Sequence, residues 1–260
     1  MENLIKVEGI IIKLEIEDSK ILQINSLEKQ AAGTAFLGAL TGSAGLMSNA
    51  PIMAMAAKGR DGKTFKGELS GIRVVGQFTG VKFENNTPLA MVVSEEQHEG
   101  YHFVYAVLDP KTGLLHMPYE MGRSVKKTYI KYFKYAIMFS IIMCVIVSII
   151  LIIHYFSEDV SIEELKFDLI YSYLGGILFS FVFFTSLLFF GKNNLRYLGK
   201  LSESVFEKLN FSEIKEQDFY SITFYDKEGF YPSVMEYRKY LIGKDPYPAD
   251  YFDKKEESKK

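Results

Sequence analysis

Two uncharged stretches constrain this chain more than anything else in it. Residues 135–153 run for nineteen positions without an ionisable charge, and residues 169–191 for twenty-three. A helix rises about 1.5 Å per residue, so nineteen residues span roughly 29 Å, the thickness of a bilayer's hydrocarbon core. Buried helices of water-soluble domains seldom stay apolar on every face for so long. The pattern predicts a transmembrane helical hairpin over 132–191, with helices near 132–156 and 169–191 and an extracytoplasmic loop at 157–168.

The flanks orient it. Arg123, Lys126, Lys127, Lys131 and Lys134 precede the first stretch, and Lys192, Arg196 and Lys200 follow the second. The loop between them carries Glu158, Asp159, Glu163, Glu164 and Asp168 against Lys166. Basic flanks stay on the cytoplasmic side, so both termini are expected in the cytoplasm, with a multi-pass membrane location. The N-terminal stretch MENLIKVEGIIIKLEIE mixes acids among apolar residues and does not read as a signal peptide.

Small residues mark one face of each predicted span. Ser140, Cys144 and Ser148 stand at i, i+4 and i+8, and so do Ser172, Gly176 and Ser180. Antiparallel pairing would set Ser148 near Ser172, Cys144 near Gly176 and Ser140 near Ser180, letting the backbones approach and the hydroxyls bond across. His154 at the outer edge reads as an interfacial anchor, since no acid lies at mid-membrane.

Residues 1–128 read as a β-rich cytoplasmic domain. Ile10, Ile12, Leu14 and Ile16 alternate with Ile11, Lys13, Glu15 and Glu17, which predicts a half-buried strand with the first set inward. Residues 20–24 are expected to return as its hairpin partner across Glu17-Asp18-Ser19. Further strands are expected at 64–69, 77–83, 89–94, 101–108 and 114–117, punctuated by Asn85-Asn86, Glu99-Gly100 and Asp109-Pro110-Lys111-Thr112-Gly113. Short strands with tight turns suggest a small barrel, comparable in topology to an oligonucleotide-binding barrel.

Within this domain, residues 31–57 form an uncharged insert with nine Ala and four Gly. Gly38 and Gly42 make a G-x-x-x-G pair, and Ala31, Ala35 and Ala39 share a helical face. One reading is a membrane-contacting, conditionally inserting element; the other is a small-residue structural or flexible segment. Beyond the hairpin, residues 192–260 are expected to form an α-rich cytoplasmic region. Its first helix, 194–209, places Leu195, Leu198, Leu201, Val205 and Leu209 on one face. The region's tail is charged and expected to be disordered, and its core too small to stand without the N-terminal domain or the bilayer.

Composition removes several function classes. Net charge is −2 and basic residues do not cluster on the strands, so no nucleic-acid partner is expected. The single cysteine, Cys144, allows no disulfide framework and no cysteine metal site. His98-Glu99-Gly100-Tyr101-His102 matches H-E-x-x-H, but that zinc chemistry needs both histidines on one helical face, and Tyr101 onward alternates as a strand. His98 and His102 read instead as a turn residue and a strand residue. No catalytic constellation, metal site or cofactor motif is found, and the chain is read as non-enzymatic.

The order of parts carries a resemblance. It runs from Gly9-Ile10-Ile11-Ile12-Lys13-Leu14 through the Ala/Gly/Met-rich insert to an A-x-x-x-P at Ala106–Pro110. Gly122-Arg123, the two-span hairpin and V-F-x-x-L-x-F at 205–211 follow. This resembles a family of Gram-negative two-span membrane proteins described as candidate type VI secretion system effectors. The resemblance implies a context of antagonism between bacteria, with the lipid bilayer as one partner and a cognate toxin, immunity or secretion-system protein as another. It admits an effector acting by membrane insertion or perturbation, an immunity or accessory protein binding its cognate through cytoplasmic domains, or a housekeeping membrane adaptor.

Overall fold

The computed structural model describes residues 3–21, 60–157, 162–220, 223–227 and 229–258. The fold is mixed α+β and divides into two compact units, residues 1–124 with 198–260, and residues 125–197.

The first unit is built on a closed five-stranded barrel. β1 (Leu4–Ile21) pairs antiparallel with β2 (Arg60–Leu69), and β2 with β3 (Ile72–Phe78). Through Leu4–Ile10, β1 also pairs antiparallel with β4 (Pro88–His98), which pairs with β5 (Tyr101–Asp109). A parallel contact of β3 with β5, Val74 opposite His102 and Val75 opposite Phe103, closes the ring. Closure covers edges of β3 and β5 that an open sheet would leave bare. The interior is filled by Ile11, Phe65, Val74, Phe78, Phe83, Leu89, Met91, Val104 and Val107. Phe65 stacks on Phe78 at 5.4 Å and meets Phe83 edge-on at 5.3 Å.

The turns follow the sequence. Asn86, Glu99, Gly100 and Gly113 all take positive φ, and the Asp109 carboxylate accepts from the Lys111 amide and the Thr112 hydroxyl, closing the Asp-Pro-Lys-Thr-Gly turn. The first strand differs from expectation in two ways. It is one strand to Ile21, not a hairpin at Glu17-Asp18-Ser19: β2 is its partner, with Asp18 opposite Lys63 and Ser19 opposite Gly62. Up to Ile12 its inward face is also the other one, whereas Leu14 packs against the core as expected. Ile11 is fully buried while Ile10 and Ile12 are 50% and 37% exposed. A one-residue bulge between Ile12 and Glu15, with Lys13 at φ 53°, shifts the alternation. Gly67 makes room for Ile11, since a Cβ there would stand 3.0 Å from its Cδ1. β3 ends at Phe78, short of the strand expected to Phe83.

The region after the hairpin adds two strands to the helix that spacing suggested. It completes the same unit as the barrel. β6 (Leu114–His116) pairs with β5 and with β8 (Gly229–Glu236), and β7 (Thr223–Asp226) lies outermost beside β8. Leu114, Leu115 and His116 face Glu236, Met235 and Val234 across 120 residues of sequence. That separation is invisible to local pattern. Buried Leu198, Leu201, Val205 and Leu209 form the expected apolar face, and Phe206, Phe211, Phe219 and Tyr237 pack in an aromatic cluster beside them. The tail expected to be disordered is helical over Tyr251–Glu257 (α3).

The second unit contains α1 (Val125–Ser157) and the part of α2 (Ile162–Lys208) up to Tyr197. Both are long and apolar enough to cross a membrane. Each begins earlier than hydropathy placed it. α1 absorbs Lys126, Lys127, Lys131 and Lys134 into its first turns. α2 starts at Ile162, with Glu163 and Glu164 in its first turn where acids favour the helix dipole. The connection shrinks accordingly to residues 158–161, which lie outside the described residues.

Candidate functional site

The paired helices of the second unit hold the residues that sequence spacing singled out. A Cβ added to Gly176 would sit 3.8 Å from the Cys144 Sγ, so those two positions meet across the seam. Phe139 stacks on Phe183 at 5.6 Å and Phe133 meets Phe184 at 5.8 Å, further along the same antiparallel register. The hydroxyls behave differently from the cross-helix bonding expected. Ser140 donates to the Ala136 carbonyl and Ser148 to the Cys144 carbonyl, each one turn back on its own helix. Such back-bonding satisfies a serine without a partner helix. Across the seam, Ser148 Oγ meets the Tyr173 hydroxyl at 2.6 Å, a partner the small-residue stripe did not include. Ser180 is buried, and its Oγ has no hydrogen-bond partner among the described residues.

Beside the seam lies an apolar groove of about 390 Å³, lined by Met143, Cys144 and Val147 from α1 and by Ser172, Gly175, Gly176 and Phe179 from α2. A Cβ at Gly176 would meet Cys144 only at ordinary contact distance, and one at Gly175 would meet nothing within 4 Å. Away from the seam the side chains are exposed and apolar, with Ile141 at 59% and Phe181 at 68%. Large exposed apolar surface of this kind belongs against lipid or protein, not water. Gly38 and Gly42 lie outside the described residues.

In the first unit, the H-E-x-x-H stretch is a β-hairpin. His98 ends β4, Glu99 and Gly100 form the turn, and His102 sits in β5 opposite Gln97. His102 is buried, with Nδ1 2.7 Å from the Ser94 carbonyl and Nε2 3.0 Å from the Gln97 amide. The two histidines are therefore not arranged as helical zinc ligands, and among the described residues no cluster of His, Cys, Asp and Glu suits a metal ion.

The Gly122-Arg123 pair marks the point where the chain leaves the barrel unit. Gly122 has φ +104°, donates its amide to the Ser202 Oγ at 3.0 Å, and offers its carbonyl to the Phe219 and Tyr220 amides. Arg123 is 8% exposed, pairs with Asp218 at 2.9 Å and lies over the Tyr220 ring. Burial pushes the Tyr220 hydroxyl up to about 12.

Two further polar centres carry no sequence signature. Glu8 accepts from the Tyr251 hydroxyl at 3.1 Å and from Lys255, and pairs with Lys6 at 2.9 Å, fastening α3 to β1. Burial works to raise its carboxyl, but the bonds from Lys255 and Lys6 outweigh this and hold it below the ordinary value. His116 is wholly buried between Phe78 and Phe83. Its Nε2 accepts the Lys82 amide at 3.2 Å, and burial outweighs a backbone hydrogen bond at Val107 and draws its pKa down to about 3.

Compared with known proteins, the chain matches no family model, no curated protein and no solved structure.

Proposed function

We propose that this is a non-enzymatic bacterial inner-membrane protein whose helical hairpin anchors a cytoplasmic β-barrel unit, and that it works as a resident binding partner in the type VI secretion context. The pairing of β6 with β8 carries this reading, because residues 114–116 and 234–236 belong to one sheet while both apolar helices lie between them in sequence. A folded unit assembled from both flanks requires those flanks on one side of any membrane the helices cross, and the basic flanks make that side cytoplasmic. Such an anchor fits an immunity or accessory protein that meets its cognate through the cytoplasmic unit.

The experiment is expression in a neutral bacterial host with membrane potential recorded, followed by co-expression with toxins encoded beside it. Unchanged potential and protection from one toxin are expected. Depolarisation on expression alone would favour the second reading, an effector acting by membrane insertion or perturbation. That reading rests on the uncharged 31–57 insert, whose bordering strands are paired at Ile21 and Arg60. Thiol labelling of single cysteines at positions 3 and 258 from the cytoplasm only, and at position 160 from outside, tests the topology.

A further inference from the structure

Charge and apolar surface share one stripe of α1. Lys127, Lys131 and Lys134 stand one above another on the helix, and Met138, Ile141 and Val145 continue the same face. Those three apolar side chains are more than half exposed. Lys134 is exposed as well, and the Lys131 ammonium stands 5.6 Å over the ring of Tyr135. The residues that meet α2, namely Phe133, Phe139 and Cys144, lie about 100–120° round the helix from this stripe. No acidic residue occurs anywhere along α1. The described acids of its unit, Glu163, Glu164 and Asp168, stand at the start of α2, which antiparallel packing sets beside the far end of α1.

We infer that this stripe binds an anionic phospholipid, its headgroup phosphate held by Lys131 and Lys134 and an acyl chain laid along Met138, Ile141 and Val145. The inference rests on the reading that the helical hairpin lies in a membrane. Every residue of the site belongs to α1, within one compact unit. Helical side chains lean toward the helix N-terminus, so both ammonium groups are carried away from the apolar stretch while their stems cover the helix. A lysine pair with no acid on its own helix complements a phosphate monoanion. Four residues separate Lys134 from Met138, a rise of about 6 Å, and there the cationic surface gives way to exposed hydrocarbon. An acidic peptide would match the lysines alone, whereas a phospholipid matches both halves.

The chain contains no tryptophan, so Met138→Trp or Ile141→Trp places a unique fluorophore on the stripe. The full chain is reconstituted in vesicles of phosphatidylcholine with one quarter phosphatidylglycerol, with bromine on the acyl chains of one lipid or of the other. Two lysines near the headgroups predict a preference for phosphatidylglycerol on the order of tenfold. Phosphatidylglycerol would then fill the site about three quarters of the time, against about one quarter without preference, so the brominated minor lipid should quench more than the brominated major one. Either variant suffices, which guards against one failing to fold. The preference should vanish when Lys131→Gln and Lys134→Gln are added, and should be absent at Ile170→Trp near the acidic end. Stronger quenching by phosphatidylcholine at both stripe positions, in protein that resists alkaline extraction from the vesicles, overturns the inference and leaves the membrane reading standing. A preference that survives the glutamine changes, or is as large at Ile170→Trp, overturns it too, because it does not belong to the lysine pair. Release of the protein by alkaline extraction defeats the membrane reading and the inference with it.

Discussion

Acidification tests the barrel at its most exposed weakness, the buried imidazole of His116. In the folded chain this group titrates near 3 instead of its ordinary 6.5, because protonation would place a charge between Phe78 and Phe83 with the Lys82 ammonium nearby. The unfolded chain takes up that proton first. Stability from this source is therefore complete above about pH 6.5 and is lost as pH falls below it, down to about 3. At pH 5 the loss is about 2 kcal/mol, from about 1.4 kcal/mol for each pH unit below 6.5. The comparison variant is His116→Gln, which can keep an acceptor for the Lys82 amide but does not titrate. Denaturant unfolding of the full chain in detergent micelles, monitored by hydrogen exchange in the 105–117 and 230–237 peptides, is run at pH 7.5 and 5.0. The wild type should lose about 2 kcal/mol more than the variant between the two, because acid effects at other groups are common to both. Equal losses would falsify the claim that His116 is held neutral by burial.

Other perturbations read different contacts. Gly80→Val forces a side chain into the Tyr231 ring, and a cost of about 2 kcal/mol is expected in the same unfolding assay. Glu8→Ala removes the acceptor that holds Tyr251 and Lys255, so cleavage by trypsin at Lys254 and Lys255 should accelerate with little change in the barrel strands. Because the Glu8 carboxyl is depressed, its contribution is present above the ordinary value of 4.5 and fades as pH falls below it; the tail should loosen before the barrel does only if His116 is already replaced. Gly176→Cys should form an oxidant-induced bond with Cys144 within one chain, and its absence would shift the helix register. Arg123→Ala removes a largely buried guanidinium and its ion pair with Asp218, and about 1–3 kcal/mol should be lost.

Hydropathy and turn chemistry were legible from the chain alone. Nineteen and twenty-three uncharged residues can hardly be anything but long apolar helices, and Asn86, Gly100 and Gly113 sit where backbone sterics demand them. The spacing of Cys144 and Gly176 followed from helical geometry. Other features were not local. Alternation through the three consecutive isoleucines pointed away from Ile11, because the bulge at Lys13 is set by pairing with β2. The Ser148–Tyr173 contact depends on how two helices approach, and Glu8 became a tie point only when Tyr251 and Lys255 arrived from the far end of the chain.

By itself, then, the sequence determined two helices fit for a bilayer, basic flanks on both sides of them, and a set of short strands closed by specific turns. Tertiary structure alone decided that the expected barrel closes through β3 and β5, and that the last sixty residues join its unit by pairing β8 with β6. The physical reason is range. Periodicity and turn preference act over a few residues, whereas strand partners are chosen by burial and backbone pairing between segments more than a hundred residues apart.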